Sequence, residues 1–361
     1  METRNSRLFS LLDGKADAVV IVNSGDSHTD HNFKYFTRAK SGIFEGSVAV
    51  VTARGTSVVT SVLEAGSLKG LDVKVRTVGT RKQFENAVAS LTSRFRKIGI
   101  NAPSLTYQGY RALRRSYKGK IVDASEEIAK CRAVKDRDEV RKIAESCRIA
   151  SRAADRIPEM LKEGMTESEL ASRLSIALYE EGSEGPSFSP IVSFGKTTAI
   201  PHYFPGKLKL KKGDLVLADF GGKYEMYCSD ITRTYMFGKA TERQRLLYET
   251  VKSAQDAAFA AIKPGALESD VDAAARNVID GTEFKGRFIH GLGHGLGLQV
   301  HDGGPVLSPR SRDRLEEGMV VTVEPGAYVE SYGGVRIEDD VVLTRSGCRK
   351  LTDAKRDFIE V

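Results

Sequence analysis

Four acidic residues interrupt otherwise apolar, β-rich runs in the second half of the chain. Asp219 lies in LVLADF, Asp230 in YCSDITRTY, Glu324 in VVTVEPG and Glu338 in VRIEDD. A buried carboxylate without a partner costs on the order of several kcal/mol or takes up a proton. If these four side chains converge, the chemistry that they predict is the binding of cations.

The spacing of the four residues predicts two hairpins, each carrying two carboxylates. A first hairpin that turns between positions 224 and 225 would place Asp219 directly opposite Asp230, and a second that turns at position 331 would place Glu324 opposite Glu338. Directly paired side chains on one face of a sheet lie about 5 Å apart. A single acidic residue in a strand more often faces solvent or forms a salt bridge, but two matching hairpins together favour a dinuclear metal site.

A nitrogen ligand is available in the stretch FIHGLGHGLGLQVHD, residues 288–302. This stretch holds His290, His294 and His301, and glycines flank His294 on both sides. Glycine at this density weakens a helix and lets other backbone or a ligand approach closely. Spacing alone leaves open which histidine is the ligand. Four oxygens and one nitrogen form a harder ligand set than zinc usually has, so Mn²⁺, Co²⁺ or Fe²⁺ suits the site as well as Zn²⁺.

The first third of the chain, up to about residue 124, predicts a small α/β domain in which β-rich runs alternate with helical periods. The predicted strands are Ala18–Val22, Ser47–Val51, Thr56–Val62 and Val73–Val78, and the helical stretches include Lys82–Lys97 and Tyr107–Tyr117. The charged stretch Ala124–Glu163 has helical spacing of its apolar residues and predicts a long helix that enters a second domain.

The second domain repeats one pattern, in which two helices are followed by a hairpin. The first copy has helices at Asp136–Leu161 and Thr166–Glu181 and strands at Asp214–Phe220 and Tyr227–Met236. The second copy has helices at Glu242–Ile262 and Leu267–Ile279 and strands at Met319–Glu324 and Val335–Leu343. The repetition predicts a domain with pseudo-twofold symmetry.

Composition argues against several classes of protein. Lys and Arg total 55 and Asp and Glu 48 in 361 residues, and the charges are interspersed, which indicates a solvated surface and no nucleic-acid partner. The four cysteines form no CxxC pair, which fits a reducing cytoplasm. We expect no cleaved signal and no membrane span, because neither a signal-like N-terminus nor an apolar run of eighteen residues occurs.

Five ordered motifs resemble those of the Xaa-Pro peptidases, aminopeptidase P and prolidase. They are FSPIVSFGKTTAIPHY (188–203), LVLADFGGKYEMYCSDITRTY (215–235), FIHGLGHGLGLQVHD (288–302), VVTVEPGAYV (320–329) and GGVRIEDD (333–340). The resemblance covers essentially the whole chain. It implies an α/β (α+β) protein with a creatinase-like N-terminal domain at 1–124 and a pita-bread catalytic domain at 125–361.

The resemblance implies that five residues hold two divalent metal ions, with Mn²⁺ or Co²⁺ favoured over Zn²⁺ or Fe²⁺. By similarity, Asp230 and Glu338 bridge the metals, Asp219 completes one site, and His294 with Glu324 completes the other. A hydroxide between the metals would be the nucleophile, since bridging lowers the pKa of water toward neutrality. Glu324 would take a proton from the attacking water and deliver it to the leaving proline nitrogen.

Other residues match substrate-binding positions of these enzymes. His202 and His301 would contact the scissile carbonyl and the tetrahedral intermediate, and His290 would form part of the pocket wall. Arg336, two residues before Glu338, is a candidate substrate-binding residue, although a role in orienting the metal ligands is preferred. Tyr328 and Arg233 are further candidates for orienting the ligands.

The motifs do not separate the two subclasses cleanly. A prolidase is expected to read HE-x-P-R after the last histidine, with the arginine holding the free carboxylate of a dipeptide. Here the chain reads His301-Asp302-Gly303-Gly304-Pro305-Val306, which is closer to the HD-x-G form of aminopeptidase P. We therefore favour an Xaa-Pro aminopeptidase acting on small peptides with proline at position two. The alternative is an Xaa-Pro dipeptidase, because Arg310, Arg312 or Arg314 could supply the charge.

Three further readings are weaker. Methionine aminopeptidase has the same five ligand types, but the N-terminal domain and the contexts of His202 and His301 favour proline specificity. A metal-free, creatinase-like hydrolase has no reason to keep the five ligands. A non-catalytic binding module would be marked by lost ligands and basic tails. Because relatives commonly dimerise, a homodimer is also expected.

Overall fold

The computed structural model describes residues 3–25 and 28–361. The chain divides into two compact units, Met1–Arg132 and Ala133–Val361. The predicted domain boundary after residue 124 stays a prediction.

The first unit is a mixed sheet with helices on it, and its strand order is β4-β3-β2-β1-β5-β6. Its strands are β1 Ala18–Val22, β2 Val48–Thr52, β3 Gly55–Ser61, β4 Val73–Val78, β5 Lys97–Ile100 and β6 Lys120–Asp123. Its helices are α1 Arg4–Leu12, α2 His31–Thr37, α3 Val62–Ala65, α4 Arg81–Thr92, α5 Tyr107–Ser116 and α6 Ser125–Ala133, with 3-10 turns at Gly66–Leu68 and Ala102–Ser104. The predicted α/β class is confirmed, and β1 and β4 have their predicted bounds.

One predicted helix in this unit was too long. The stretch Lys82–Lys97 was expected to be helical throughout, whereas α4 ends at Thr92 and β5 begins at Lys97. Helical periodicity cannot separate a helix from a short apolar strand that follows it, and the run Lys97–Ile100 pairs with β1 in parallel.

The second unit contains the two predicted copies of helices and hairpin. Its helices are α7 Arg137–Asp155, α8 Ile157–Met160, α9 Glu167–Glu180, α10 Glu242–Ala261 and α11 Glu268–Asp280, with a 3-10 helix at Gly195–Ala199. Its strands are β7 Ile191–Phe194, β8 Leu215–Phe220, β9 Lys223–Tyr224, β10 Tyr227–Cys228, β11 Ile231–Met236, β12 Gly293–His294, β13 Val306–Leu307, β14 Val320–Val323, β15 Gly326–Val329, β16 Gly333–Arg336, β17 Asp339–Thr344 and β18 Gly347–Lys350.

Each copy has its own hydrophobic core. In the first copy, buried side chains of α7 and α9 pack against β7, β8 and β11, as Ile149, Leu174 and Val216 illustrate. In the second, α10 and α11 pack against the hairpin strands β14 to β17 and the glycine-rich stretch, as Val251 and Val323 illustrate. The predicted duplication of two helices and a hairpin is therefore confirmed.

The single long helix predicted at Ala124–Glu163 is broken. Helix α6 ends at Ala133, and α7 begins at Arg137 with Asp136 as its N-cap. Asp136 accepts a hydrogen bond from the backbone of Glu139, whose side chain in turn accepts one from the Asp136 N–H. This capping box starts a new helix where apolar spacing alone suggested continuity.

The first hairpin turns one position later than predicted. Residues Glu225 and Met226 form the turn with left-handed φ angles of 45° and 71°, so Asp219 pairs with Thr232 and not with Asp230. Asp230 precedes Thr232 by two residues. Because side chains along a strand alternate with a period of two, the carboxylates of Asp219 and Asp230 still lie on one face. The turn was misplaced in the sequence-based prediction because neither Glu225 nor Met226 is a glycine or asparagine, the residues that mark such a turn.

The second hairpin has the predicted register. Val323 pairs with Asp339 and Gly326 with Arg336, and both pairs are centred on Ser331. Glu324 and Glu338 lie between these two pairs, opposite each other. Ser331 has a φ of 62°. Both hairpins lose regular pairing next to their carboxylates, between β10 and β11 and between β16 and β17.

Arg233 on β11 forms hydrogen bonds that link the C-terminal segment at residues 354–355 to the two hairpins. Its guanidinium donates to the carboxylate of Asp339 at 2.7 Å and to the carbonyl oxygens of Thr232, Glu338, Ala354 and Lys355. Both Arg233 and Asp339 are 1% exposed. Arg233 thus contacts the backbone of Glu338, and its predicted role in orienting the metal ligands stays a prediction.

We expect Arg233→Met to destabilise the protein by about 3–5 kcal/mol, because it leaves the buried Asp339 charge with only the more distant Lys350, at 3.9 Å, as an ion-pair partner among the described residues. Thermal unfolding should show a fall in Tm of roughly 10 °C. Arg345→Met is the matched control, since the Arg345 side chain is 90% exposed. Equal Tm values for the two variants would contradict the assignment.

No helix in residues 3–25 and 28–361 combines the length and apolarity needed to cross a bilayer.

Candidate metal centre

All five predicted metal ligands line one cavity of about 510 Å³ in the second unit. The hairpins supply the four carboxylates, and the glycine-rich stretch supplies the histidine. The predicted substrate-binding residues His202, His290, His301 and Arg336 line the same cavity.

The carboxylates of the first hairpin are buried, and each has an oxygen atom without a partner. Asp219 is at the end of β8 and Asp230 directly precedes β11; they are 8% and 4% exposed. Oδ1 of each residue is buried and accepts no hydrogen bond among the described residues. The other oxygen of Asp219 accepts from Arg336 at 2.5 Å.

The second hairpin contributes Glu324 and Glu338. Glu338 is 1% exposed; its Oε2 accepts from the Thr232 hydroxyl at 2.7 Å, whereas its Oε1 is buried without a hydrogen-bond partner in the described part of the chain. Glu324 is less buried, and its Oε1 is 3.4 Å from the Thr322 hydroxyl. One oxygen of Glu338 is thus held in place while the other faces the site.

His294 presents Nε2 to the carboxylates. Its Nδ1 lies 3.3 Å from the carbonyl oxygen of Gly295, which can only accept, so Nδ1 carries the hydrogen and Nε2 keeps its lone pair. Nε2 is 3.6 Å from Asp230 Oδ2 and 3.5 Å from Glu324 Oε1. This is the tautomer that a metal-binding imidazole needs.

Glycine at position 293 lets this strand approach the second hairpin. A Cβ on Gly293 would overlap the carbonyl oxygen of Thr322, so only glycine fits. The N–H of His294 bonds to the Thr322 hydroxyl at 3.0 Å, and the N–H of Glu324 bonds to the Leu292 carbonyl at 2.8 Å. The glycines next to His294 therefore place its ring against the carboxylates of the hairpin.

The electrostatics of the site require positive charge. Burial, together with the nearby carboxylate of Glu338, raises the pKa of Asp230 well above its usual value, and burial together with Glu324 does the same to the pKa of Glu338. Burial raises the pKa of Glu324 to about 8 and lowers that of His294 to about 4. A neutral imidazole among carboxylates with unpartnered oxygens is a set of donors that fits divalent cations.

Ligand atoms of Asp230, His294 and Glu338 lie within 4.8 Å of one another, as one metal ion would require. The unpartnered Oδ1 of Asp219 and the carboxylate of Glu324 border the same cavity. The residues present therefore fit a divalent-metal centre.

Arg336 links a ligand carboxylate to the pocket wall. Besides Asp219, it donates to the hydroxyls of Tyr328 at 2.7 Å and Thr232 at 3.1 Å. The Tyr328 hydroxyl is 2.8 Å from Nε2 of His290. Nδ1 of His290 is 2.7 Å from the Gly291 carbonyl and carries the hydrogen, so Tyr328 donates to Nε2.

His202 and His301 are exposed and face the cavity from loops. The ring of His301 stacks on that of His294, with centroids 3.8 Å apart and planes 24° apart. Burial and the neighbouring His202 lower the pKa of His301. The motifs separated by about a hundred residues thus meet at one cavity.

Some residues of the site were missed in the sequence. Thr232 bonds to both Glu338 and Arg336, and its position two residues after Asp230 in a strand places it on the same face, which is a signal that could have found it. The apolar lining of Phe188, Ile191 and Val300 carries no such signal.

Models of two protein families match the chain. "Metallopeptidase family M24" matches residues 141–345, and "Creatinase/Prolidase N-terminal domain" matches residues 4–134. Among curated proteins, an Xaa-Pro dipeptidase of Pyrococcus horikoshii is 31% identical over 361 residues, covering 99% of both chains.

Solved structures agree in fold over the whole chain. An Xaa-Pro dipeptidase from Bacillus anthracis matches with a TM-score of 0.90 at 29% identity, covering 99% of both chains. An X-Pro aminopeptidase from Thermotoga maritima matches with a TM-score of 0.90 at 30% identity, covering 99% of this chain and 100% of that one.

Proposed function

Because the chain belongs to metallopeptidase family M24, whose members are hydrolases that use divalent metal ions, we propose that it is an Xaa-Pro dipeptidase. The observation that carries the metal-dependent hydrolysis in this proposal is the set of unpartnered, buried carboxylate oxygens of Asp219, Asp230 and Glu338 at one cavity. The sequence favoured an aminopeptidase, but the relatives described above support its dipeptidase alternative better.

We propose that Asp219, Asp230, His294, Glu324 and Glu338 hold two divalent metal ions, with Mn²⁺ or Co²⁺ favoured by the oxygen-rich donors. When bound, the metal pair would supply Lewis acidity and a nucleophilic water at neutral pH. Thr232 and Arg336 would orient Glu338 and Asp219 through the hydrogen bonds that they already donate.

Glu324 is the proposed proton carrier. It borders the cavity beside His294 and is less buried than the other glutamate, so it can be reached by the attacking water. Its carboxylate would accept a proton from that water and deliver it to the proline nitrogen as the peptide bond breaks. The leaving nitrogen needs this proton because a secondary amine anion is a poor leaving group.

The exposed histidines are proposed to bind the reacting carbonyl. His202 and His301 face the cavity from two loops, and their N–H groups would stabilise the negative charge that develops on the oxygen. His290 has both ring nitrogens engaged within the protein, so it would contact the proline ring through its ring face. Arg336 has a similar constraint, since its bonds to Asp219, Tyr328 and Thr232 support an orienting role over direct substrate binding.

One observation favours a second candidate, the Xaa-Pro aminopeptidase. A dipeptidase must hold the free carboxylate of proline, yet among the described residues that line the cavity Arg336 is the only arginine or lysine, and it is engaged with Asp219. Arg314 donates to the Gly265 carbonyl and Arg312 to the Ser311 carbonyl, both away from the lining. Ser308 remains as a donor for that carboxylate.

The test is to incubate the protein reconstituted with Mn²⁺ or Co²⁺ with Ala-Pro, Ala-Pro-Ala and Met-Ala-Ala and to measure released amino acids. We expect hydrolysis of Ala-Pro and no release of alanine from Ala-Pro-Ala. Cleavage of the tripeptide would favour the aminopeptidase. Release of methionine alone would reject proline specificity altogether.

A further inference from the structure

A buried ion pair joins the segment before α7 to the residue that follows His301. Lys135 Nζ lies 3.4 Å from Asp302 Oδ2, and the two side chains are 1% and 3% exposed. Neither residue lines the cavity of the metal centre. The pair is therefore a feature of the second unit that the proposed chemistry leaves unexplained.

The carboxylate of Asp302 organises the loop that carries His301. Its Oδ1 accepts from the backbone N–H of Gln299 at 3.2 Å, and its own N–H bonds to the Gly295 carbonyl at 2.9 Å. A Cβ on Gly297 would overlap the Asp302 carboxylate, so this glycine is needed for the carboxylate to lie where it does. Three segments of the loop therefore contact Asp302, the residue next to His301.

Lys135 is itself fixed to the second hairpin. Its N–H bonds to the Gly318 carbonyl at 2.9 Å, and Val134 bridges to Met319. Gly318 and Met319 directly precede β14, the strand that leads to Glu324. The backbone of Lys135 is therefore tied to the glutamate strand, and its side chain is tied to the histidine loop.

Stability alone does not require such a pair. Burying an ammonium and a carboxylate carries a desolvation cost that cancels much of their attraction, and apolar residues of similar volume are commonly as stable. His301 is exposed and touches the site through a ring stacked on His294, so its position depends on the backbone beside it. The backbone next to His301 is held by the bonds of Asp302 to Lys135, Gln299 and Gly295.

We propose that Lys135 is a positioning residue, which acts through Asp302 to hold His301 against the scissile carbonyl. The inference rests on the proposed hydrolysis of Xaa-Pro peptides. Because His301 would contact the oxygen on which charge develops, its displacement should affect the transition state more than substrate binding. A displacement of about 1 Å can cost on the order of 100-fold in rate.

The first experiment compares Lys135→Met with Lys142→Met, using Ala-Pro as substrate. Lys142 lies on α7, pairs with Asp138 and is 13% exposed, so it offers the same substitution away from the site. We expect Lys135→Met to lower kcat by about 10–100-fold, with KM within about twofold and the metal content unchanged. Unchanged kcat, or a loss of bound metal that accounts for the defect, would overturn the proposal.

A double-mutant cycle tests whether Lys135 acts by positioning His301 or by a general effect on the stability of the site. In a His301→Ala background, Lys135→Met should cost less than about twofold, since a residue that acts through His301 has nothing left to position. A further loss of tenfold would overturn the proposal. The cycle is read in the metal-loaded enzyme, and a wild-type protein that fails to cleave Ala-Pro would reject the proposed function instead.

Lys135→Met/Asp302→Leu covers the case in which the single variant unfolds. Removing both charges should recover part of the Tm that the single variant loses, because no charge remains buried without its partner, although the hydrogen bond from Gln299 to Asp302 is lost as well. We expect kcat to stay low in this folded variant. Recovery of kcat together with Tm would show a merely structural pair and overturn the proposal.

Discussion

Replacing Glu338 by glutamine is expected to lower kcat/KM for Ala-Pro by more than about 100-fold and to reduce the bound metal to one ion or fewer per chain. Glu338 Oε1 is buried without a hydrogen-bond partner among the described residues, and its other oxygen is held by Thr232. An amide would bring N–H groups to the position where a cation should bind. Loss of groups that merely orient a metal ligand costs 10–100-fold, so loss of a ligand should cost more.

The matched control is Glu330→Gln on the same hairpin. Glu330 is exposed at the turn, next to Ser331, so this variant changes the net charge equally without touching the cavity. Metal content can be measured by elemental analysis after gel filtration, alongside Ala-Pro hydrolysis and thermal unfolding. A Glu338→Gln protein that keeps two ions and wild-type activity would remove Glu338 from the proposed ligands.

The sequence predicted the parts of the site that depend on strand periodicity. Glu324 and Glu338 meet because each hairpin strand alternates its faces and the turn at Ser331 was placed correctly. The same rule kept Asp219 and Asp230 on one face even though the turn was misplaced by one position, since the shift moved the partner by two residues. An error that shifts the pairing of two strands by two residues leaves each side chain on the same face of the sheet.

What the sequence could not predict are contacts between distant segments that have no shared period. Lys135 and Asp302 meet although 167 positions separate them, and the lysine looked like one more charge in a polar stretch. The link from Arg336 through Tyr328 to His290 similarly depends on how the glycine-rich stretch docks on the hairpin. Such docking is decided by packing of the whole unit, to which local propensity contributes little.

We expect the free energy of unfolding of the metal-free protein to fall as the pH rises above neutrality. Burial raises the pKa of Glu324 to about 8, and the pKa values of Asp230 and Glu338 are raised well above their usual range. A carboxyl whose pKa is raised by folding contributes stability that is complete below the unfolded pKa, near 4.3 for glutamate, and is lost as the pH rises through the folded pKa. The metal-free protein should therefore become less stable to unfolding as the pH rises toward and beyond 8.

The window from pH 7 to pH 8.5 separates the carboxyls from the histidines of the site, although it includes Asp340, whose pKa burial also raises to about 8. The pKa values of His290 and His294 are lowered to about 4, and unfolded histidine has a pKa near 6.5, so both are largely neutral above pH 7 in either state. Between pH 7 and 8.5, Glu324 alone should cost about 1 kcal/mol, which corresponds to a fall in Tm of roughly 2–4 °C, and the other carboxyls add to it.

Metal ions should reverse the trend, because they bind the ionised carboxylates and gain affinity as protons leave. Differential scanning calorimetry of chelator-treated and Mn²⁺-loaded protein at pH 7 and 8.5 would measure both effects. We expect the Tm gap between the two forms to widen at pH 8.5, and Glu324→Gln to reduce the pH dependence of the metal-free form without abolishing it, because the other buried carboxyls remain. A metal-free Tm that rises or stays constant across this window would mean that the carboxylates are compensated by something other than metal ions.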